Sequence, residues 1–177
     1  MGPLAQLAEQ FPLKEKVVGS TPTWPIFYFV ENYELIEHTA DIGIRVKGKD
    51  LKGLFKNAAL AMFDIIAERG SRFKVPVCPA GRQGSRFKEI TIKQRADDLE
   101  ELFINWLNEL LSLSATKELI FSDFKINKLD ENNLQVVAMG DSIGNYKVNT
   151  EIKAATYHQL KIEKAKSGWQ AEVIFDV

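Results

Sequence analysis

The chain has 177 residues, 45% of them hydrophobic and 27% charged, with 23 Lys and Arg against 24 Asp and Glu. This is the length of one domain with enough apolar content to bury a core, so disorder is not expected. A net charge of −1 excludes a bulk pull toward nucleic acid and leaves only a local patch open, while the single cysteine, Cys78, excludes an intrachain disulfide and a Cys-based zinc site.

Residues 1–31 hold four of the six prolines and show no sustained period of 3.6 or 2. They read as an N-terminal extension, disordered or arising from a start placed too far upstream. The string Val17-Val18-Gly19-Ser20-Thr21-Pro22-Thr23 resembles the conceptual translation of a tRNA gene. The apolar run Trp24–Val30 has seven residues, against about 18 needed to span a bilayer. It follows Lys14, Glu15 and Lys16 rather than a short basic leader, so a cytoplasmic protein with no membrane partner is expected.

Tyr33–Glu37 and Ile42–Lys47 alternate as short strands. Between them lies Glu37-His38-Thr39-Ala40-Asp41, with three ionisable side chains within five residues. Carboxylate oxygens suit hard cations and imidazole suits zinc, so the segment is a candidate half of a metal site. A turn capped by Asp41, with His38 as a satisfied core histidine, is the plainer alternative.

Asp50 is placed to cap a helix whose apolar residues Leu51, Leu54, Phe55, Ala58, Ala59, Met62, Phe63 and Ile66 share one face. Beyond it, Gly70-Ser71-Arg72-Phe73-Lys74 recurs at Gly84–Lys88, an offset of 14. Deleting one copy leaves an ordinary connection, so the segment around 71–88 reads as a duplicated insertion carrying an incidental Cys78. Phe87–Gln94 alternates as a strand. A second helix opens at Asp97 or Asp98 and carries Leu99, Leu102, Phe103, Trp106, Leu107, Leu110, Leu111 and Leu113; those aromatics have core spacing rather than that of an RNA-stacking platform.

Only strands are expected after that: Ile120–Leu129, Leu134–Gly140, Lys147–Glu163 and Trp169–Asp176. Within the third, Glu151, Lys153, Ala155 and Tyr157 would share a face. The pattern specifies a single α+β domain over 32–177, a mainly antiparallel or mixed sheet with two helices packed on it. At the chain end, Asp176 and the terminal carboxylate of Val177 would repel each other without a compensating cation. If the last strand runs beside the strand containing Glu37, Asp41 and Asp176 meet at one sheet end.

The blocks "YELIEHTADIGIRVKGKDLKGLFKNAALAMFDII", "DDLEELFINWLNELL", "EIKAATYHQL" and "VIFDV" together resemble the archease family from about Tyr33 to Val177. Archeases are small α+β proteins that assist the GTP-dependent RNA ligase of tRNA splicing, promoting its guanylylation and multiple turnover; a tRNA methyltransferase chaperone role is also associated with them. The resemblance implies that Asp41 and Asp176 are divalent-cation ligands, with Val177 completing the protein shell. Calcium is the expected ion, with magnesium or manganese as alternatives. It further implies a ligase-activating role for Lys153 and a supporting one for His38. A non-enzymatic ligase activator is therefore the leading expectation, with tRNA met only indirectly. A tRNA methyltransferase chaperone or RNA-associated adaptor, and a metal-dependent hydrolase with His38 as base, are the competing classes.

Overall fold

In the computed structural model, residues 33–36, 41–68 and 87–177 are described. The expectations for the N-terminal extension, for His38, and for Cys78 with most of the duplicated segment fall outside those residues. Strand β1 (Tyr33–Ile36) pairs antiparallel with β2 (Ile42–Gly48). Helix α1 (Leu51–Ile66) follows, capped by Asp50, whose Oδ1 accepts the Gly53 N–H at 2.7 Å. A short β3 (Ala67–Glu68) leaves it, and β4 (Lys88–Arg95) leads to α2 (Leu99–Lys117).

The cap of α2 is Asp98, which accepts the Glu101 N–H at 2.8 Å while the Glu101 side chain accepts from Asp97 N–H at 2.8 Å. This reciprocal arrangement satisfies donors that the first helical turn leaves open. The remaining strands are β5 (Leu119–Leu129), β6 (Asn133–Ser142), β7 (Lys147–Val148), β8 (Ala154–Ala165) and β9 (Gly168–Asp176).

The chain is an α+β domain, but its strands divide between two main antiparallel sheets rather than one: β1-β2-β9-β8 and β4-β6-β5, with β3 and β7 forming a separate ribbon. Helix α1 packs on β2 and β9 on one side and on β5 on the other. That placement explains why Leu60, Ala61 and Ile65 are buried along with the expected stripe. So wide a buried arc marks a helix held between two layers, with Lys52, Lys56, Asn57 and Asp64 left as a narrow polar strip. Between the sheets, Phe55 meets Phe103 edge to face (5.1 Å, 84°) and Trp106 meets Phe124 likewise (5.4 Å, 80°). The buried Trp106 Nε1–H donates to Phe55 O at 3.2 Å, so the indole brings no unpaired donor into the core.

The expected continuous strand over Lys147–Glu163 is broken. Asn149 N–H donates to Ile66 O at 2.8 Å, turning the chain around the end of α1, and β8 begins only at Ala154. Lys153 therefore precedes the strand and does not share its face with Tyr157. Farther along, the β8–β9 register shifts between Thr156 and Lys161, and Gln159 takes φ 53°, so Tyr157–Leu160 bulge out of the ladder.

A candidate cation site at the end of the first sheet

The β2–β9 ladder sets the geometry. Its last pair is Ile42 with Phe175, so one further step places Asp41 opposite Asp176. On the far side of β9, Asp176 is paired with Ala154. Three neighbouring chain segments thus bring Asp41, Asp176 and Lys153 to one sheet end. Asp41 meets the chain end through β2, which follows the His38 segment; β1, the strand expected as neighbour, lies on the other side of β2.

Lys153 binds the chain end twice. Its N–H donates to Asp176 O and its ammonium to Val177 O, both at 2.9 Å. The Val177 side chain packs on the core, which anchors the segment from the opposite direction. Asp41 is half-buried, whereas Asp176 and Lys153 are exposed. Directly opposed residues on antiparallel strands have Cβ atoms roughly 5 Å apart. Two carboxylates and a main-chain oxygen would form a hard donor set, chemically suited to calcium or magnesium and poorly suited to softer metals. No three His, Cys, Asp or Glu side chains form a ligand cluster among the described residues, so main-chain oxygen and water would have to supply the rest of a shell.

A residue that sequence reasoning missed supports this end of the sheet. Asn108 on α2 donates to Ala155 O at 3.0 Å and accepts from Ala155 N–H at 2.8 Å. Its amide imitates a pairing strand on the open edge of β8, just after Lys153. Asn108 also lines a groove of about 380 Å³ with Leu111, Ser112, Glu151, Ile152 and Lys153. Nothing in the helix pattern marks it, because an Asn beside an apolar stripe looks like ordinary surface.

Residues 33–177 match the archease protein family. The chain belongs to the archease family. It is 38% identical over 153 residues to the archease of Methanosarcina acetivorans, covering 83% of this chain and 97% of that one. The Pyrococcus furiosus archease is 34% identical over 155 residues, covering 84% and 100%. The solution structure of a Methanobacterium thermoautotrophicum protein superposes with TM-score 0.59 at 29% identity, covering 82% of this chain and 99% of that one. The crystal structure of an archease, possible chaperone, from Thermotoga maritima gives TM-score 0.52 at 25% identity over 80% and 94%. The helices and two antiparallel sheets are therefore the archease fold. Among the described residues no helix is long and apolar enough to cross a membrane.

Proposed function

We propose that this archease-family protein is a non-enzymatic activator of a GTP-dependent tRNA-splicing RNA ligase, acting through a divalent cation at the end of its first sheet. The observation that carries the reading is the register that sets Asp41 against Asp176 beside the Lys153–Val177 contact. Asp41, Asp176 and the Val177 main-chain oxygen would hold the ion, with calcium the best match to an all-oxygen, partly hydrated shell. When bound, the ion supplies positive charge that can attract a partner carboxylate or a nucleotide phosphate.

The protein's own residues do the rest. Asp176 ends β9 and Asp41 immediately precedes β2, so the last ladder pair, Ile42 with Phe175, holds the two carboxylates near one another. Lys153 fixes the chain end and offers a positive charge beside the carboxylates. An activator of this kind must bind the guanylylation-competent ligase more tightly than the resting one, because equal affinity shifts no population. A second reading, a chaperone for a tRNA methyltransferase, draws support from the description of the Thermotoga relative as a possible chaperone.

The deciding experiment is multiple-turnover RNA ligation by the cognate ligase with this protein, with its Asp41→Ala variant, and without either. Stimulation by the wild type alone supports the activator reading. A folded wild type that leaves turnover unchanged rejects it, and methylation of tRNA by the cognate methyltransferase becomes the assay of the second reading.

A further inference from the structure

The two main sheets differ in how their solvent faces handle charge. On the first sheet, Glu34 accepts from Lys47 at 3.2 Å and from Arg45 at 3.4 Å, and Arg45 also holds Glu172 at 2.8 Å. Lys161 pairs with Glu163 at 2.9 Å. Three cations, Arg45, Lys47 and Lys161, thus meet three carboxylates, Glu34, Glu163 and Glu172. That face is internally neutralised.

The second sheet is different. Both helices lie on its inner side, against β4 and β5. Register places Lys93 and Lys128 on either side of Gln135, and Thr91 and Lys125 on either side of Val137, all on the outer face; Arg95, beside Asn133, continues the β4 row. Lys93, Arg95 and Lys125 are exposed and belong to no ion pair among the described residues, whereas Lys128 is paired with Asp130 at 3.0 Å. Lys52 adds a further cation along the open edge of β5, over the main-chain oxygens of Ile126 and Asn127 at 3.5 and 3.3 Å.

The carboxylates near this face are either paired or lie at its ends, with Glu131 in the β5–β6 turn beyond the Arg95–Asn133 pair. Asp123 is held by Lys56 and Asp130 by Lys128. Glu89 lies in the row beyond Thr91, beside Met139, and Asp97 and Asp98 follow Arg95 at the start of α2. In between is a band about 10 Å across, two strand spacings wide, on which Lys93 and Lys125 are uncompensated. Arg95, at its end, makes no ion pair among the described residues but also lines a groove with Asn105 and Glu109 of α2.

We infer that this face binds the phosphodiester backbone of a nucleic acid, a second interaction surface separate from the cation site. Free Lys and Arg side chains flanking the central strand suit phosphate oxygens, which position a nucleic acid without reading its sequence. Among the described residues, no strand position on this face carries an aromatic ring, so the strands offer no base-stacking platform. Its centre is Gln135, Val137 and Met139, all half-buried. A protein partner would call for a larger apolar or aromatic anchor there. The inference does not depend on ligase activation, since no residue is shared with the cation site.

The test is fluorescence anisotropy of a labelled, unstructured RNA oligonucleotide, with DNA of the same sequence and polyglutamate as comparison probes, over roughly 50 to 200 mM salt. The wild type is expected to bind RNA weakly and with steep salt dependence. The triple variant Lys93→Gln, Arg95→Gln, Lys125→Gln should lose about tenfold or more in affinity at the lowest salt and about 2 in the log–log salt slope, three single-strand contacts at roughly 0.7 each. The equally charge-depleted variant Arg45→Gln, Lys47→Gln, Lys161→Gln should bind within about twofold of wild type, because those cations are already engaged. Equal binding of DNA supports backbone contact alone, and tighter binding of RNA supports added contact to the 2′-hydroxyl. Equal loss in both triple variants, polyglutamate binding as tight as RNA, or no binding at low salt would overturn the inference.

Discussion

The Lys153 ammonium lies 2.9 Å from the Val177 main-chain oxygen, while the Lys153 N–H holds the neighbouring Asp176 O at the same distance. One residue thus fixes both the position and the charge balance of the chain end. A divalent ion on that oxygen would lie no more than about 5 Å from the ammonium, a repulsion on the order of 1–2 kcal/mol in a water-like dielectric. Replacing Lys153 with Met should therefore tighten calcium binding a few-fold, measured by calorimetry at low ionic strength, while reducing ligase stimulation. Weaker calcium binding in this variant would mean that Lys153 chiefly positions the Val177 oxygen; unchanged stimulation would remove it from activation.

The carboxylates predict the opposite. A ligand at a hundred times its dissociation constant stabilises the folded state by about 2.7 kcal/mol. Calcium should raise the melting temperature of the wild type by several degrees, and this shift should vanish in both Asp41→Ala and Asp176→Ala. Without calcium, each variant should melt at or slightly above the wild-type temperature, because one of two opposed negative charges has gone. A full calcium shift retained in both variants would exclude this pair as ligands.

How much of this was legible beforehand follows the range of the forces. Asp50 and Asp98 announce the two helices because capping is local, a side chain meeting an amide three residues on. The β5–β6 hairpin is equally local: Asp130 Oδ1 accepts from the N–H groups of Asn132 and Asn133 at 3.1 and 2.8 Å. The division into two sheets was not legible, since alternation says that a strand has one buried face but not which neighbour it takes. For the same reason the neighbour of the last strand could be given only as a condition, the strand containing Glu37, whereas β9 pairs with β2. The break before Ala154 and the clamp by Asn108 were hidden because both depend on contacts distant in sequence, with Ile66 and with Ala155.

Asn108 offers a test of that clamp. Both of its amide atoms are used by the main chain of Ala155, so Asn108→Leu leaves an N–H and a carbonyl without partners at the open edge of β8. The expected cost is about 2 kcal/mol in chemical denaturation, the penalty for stranding partly buried polar groups. The bared edge should also promote concentration-dependent association, visible in light scattering. Asn108→Asp keeps the acceptor for Ala155 N–H and should recover part of the loss. Wild-type stability in the Leu variant would show that water replaces the amide at no cost.

Tyr33 connects β1 to α1 by donating to Asp64 Oδ2 at 3.1 Å. Its phenol pKa is pushed well above the ordinary value, first by burial and then by the charge and hydrogen bond of Asp64. The sign is that of a raised group. The folded chain keeps the proton at pH values where the unfolded chain, titrating near 10, has lost it. The contribution is therefore full below about pH 10 and falls away as pH rises toward the folded pKa. Tyr33→Phe should cost about 1 kcal/mol at neutral pH through the lost hydrogen bond. Above pH 10 its stability should decline less steeply than the wild type's, by up to about 1 kcal/mol per pH unit. Urea denaturation at neutral pH and at two alkaline pH values measures both effects. Parallel alkaline slopes for the two proteins would show that Tyr33 ionises in the folded state as readily as in the unfolded one, and that the link between β1 and α1 does not depend on its proton.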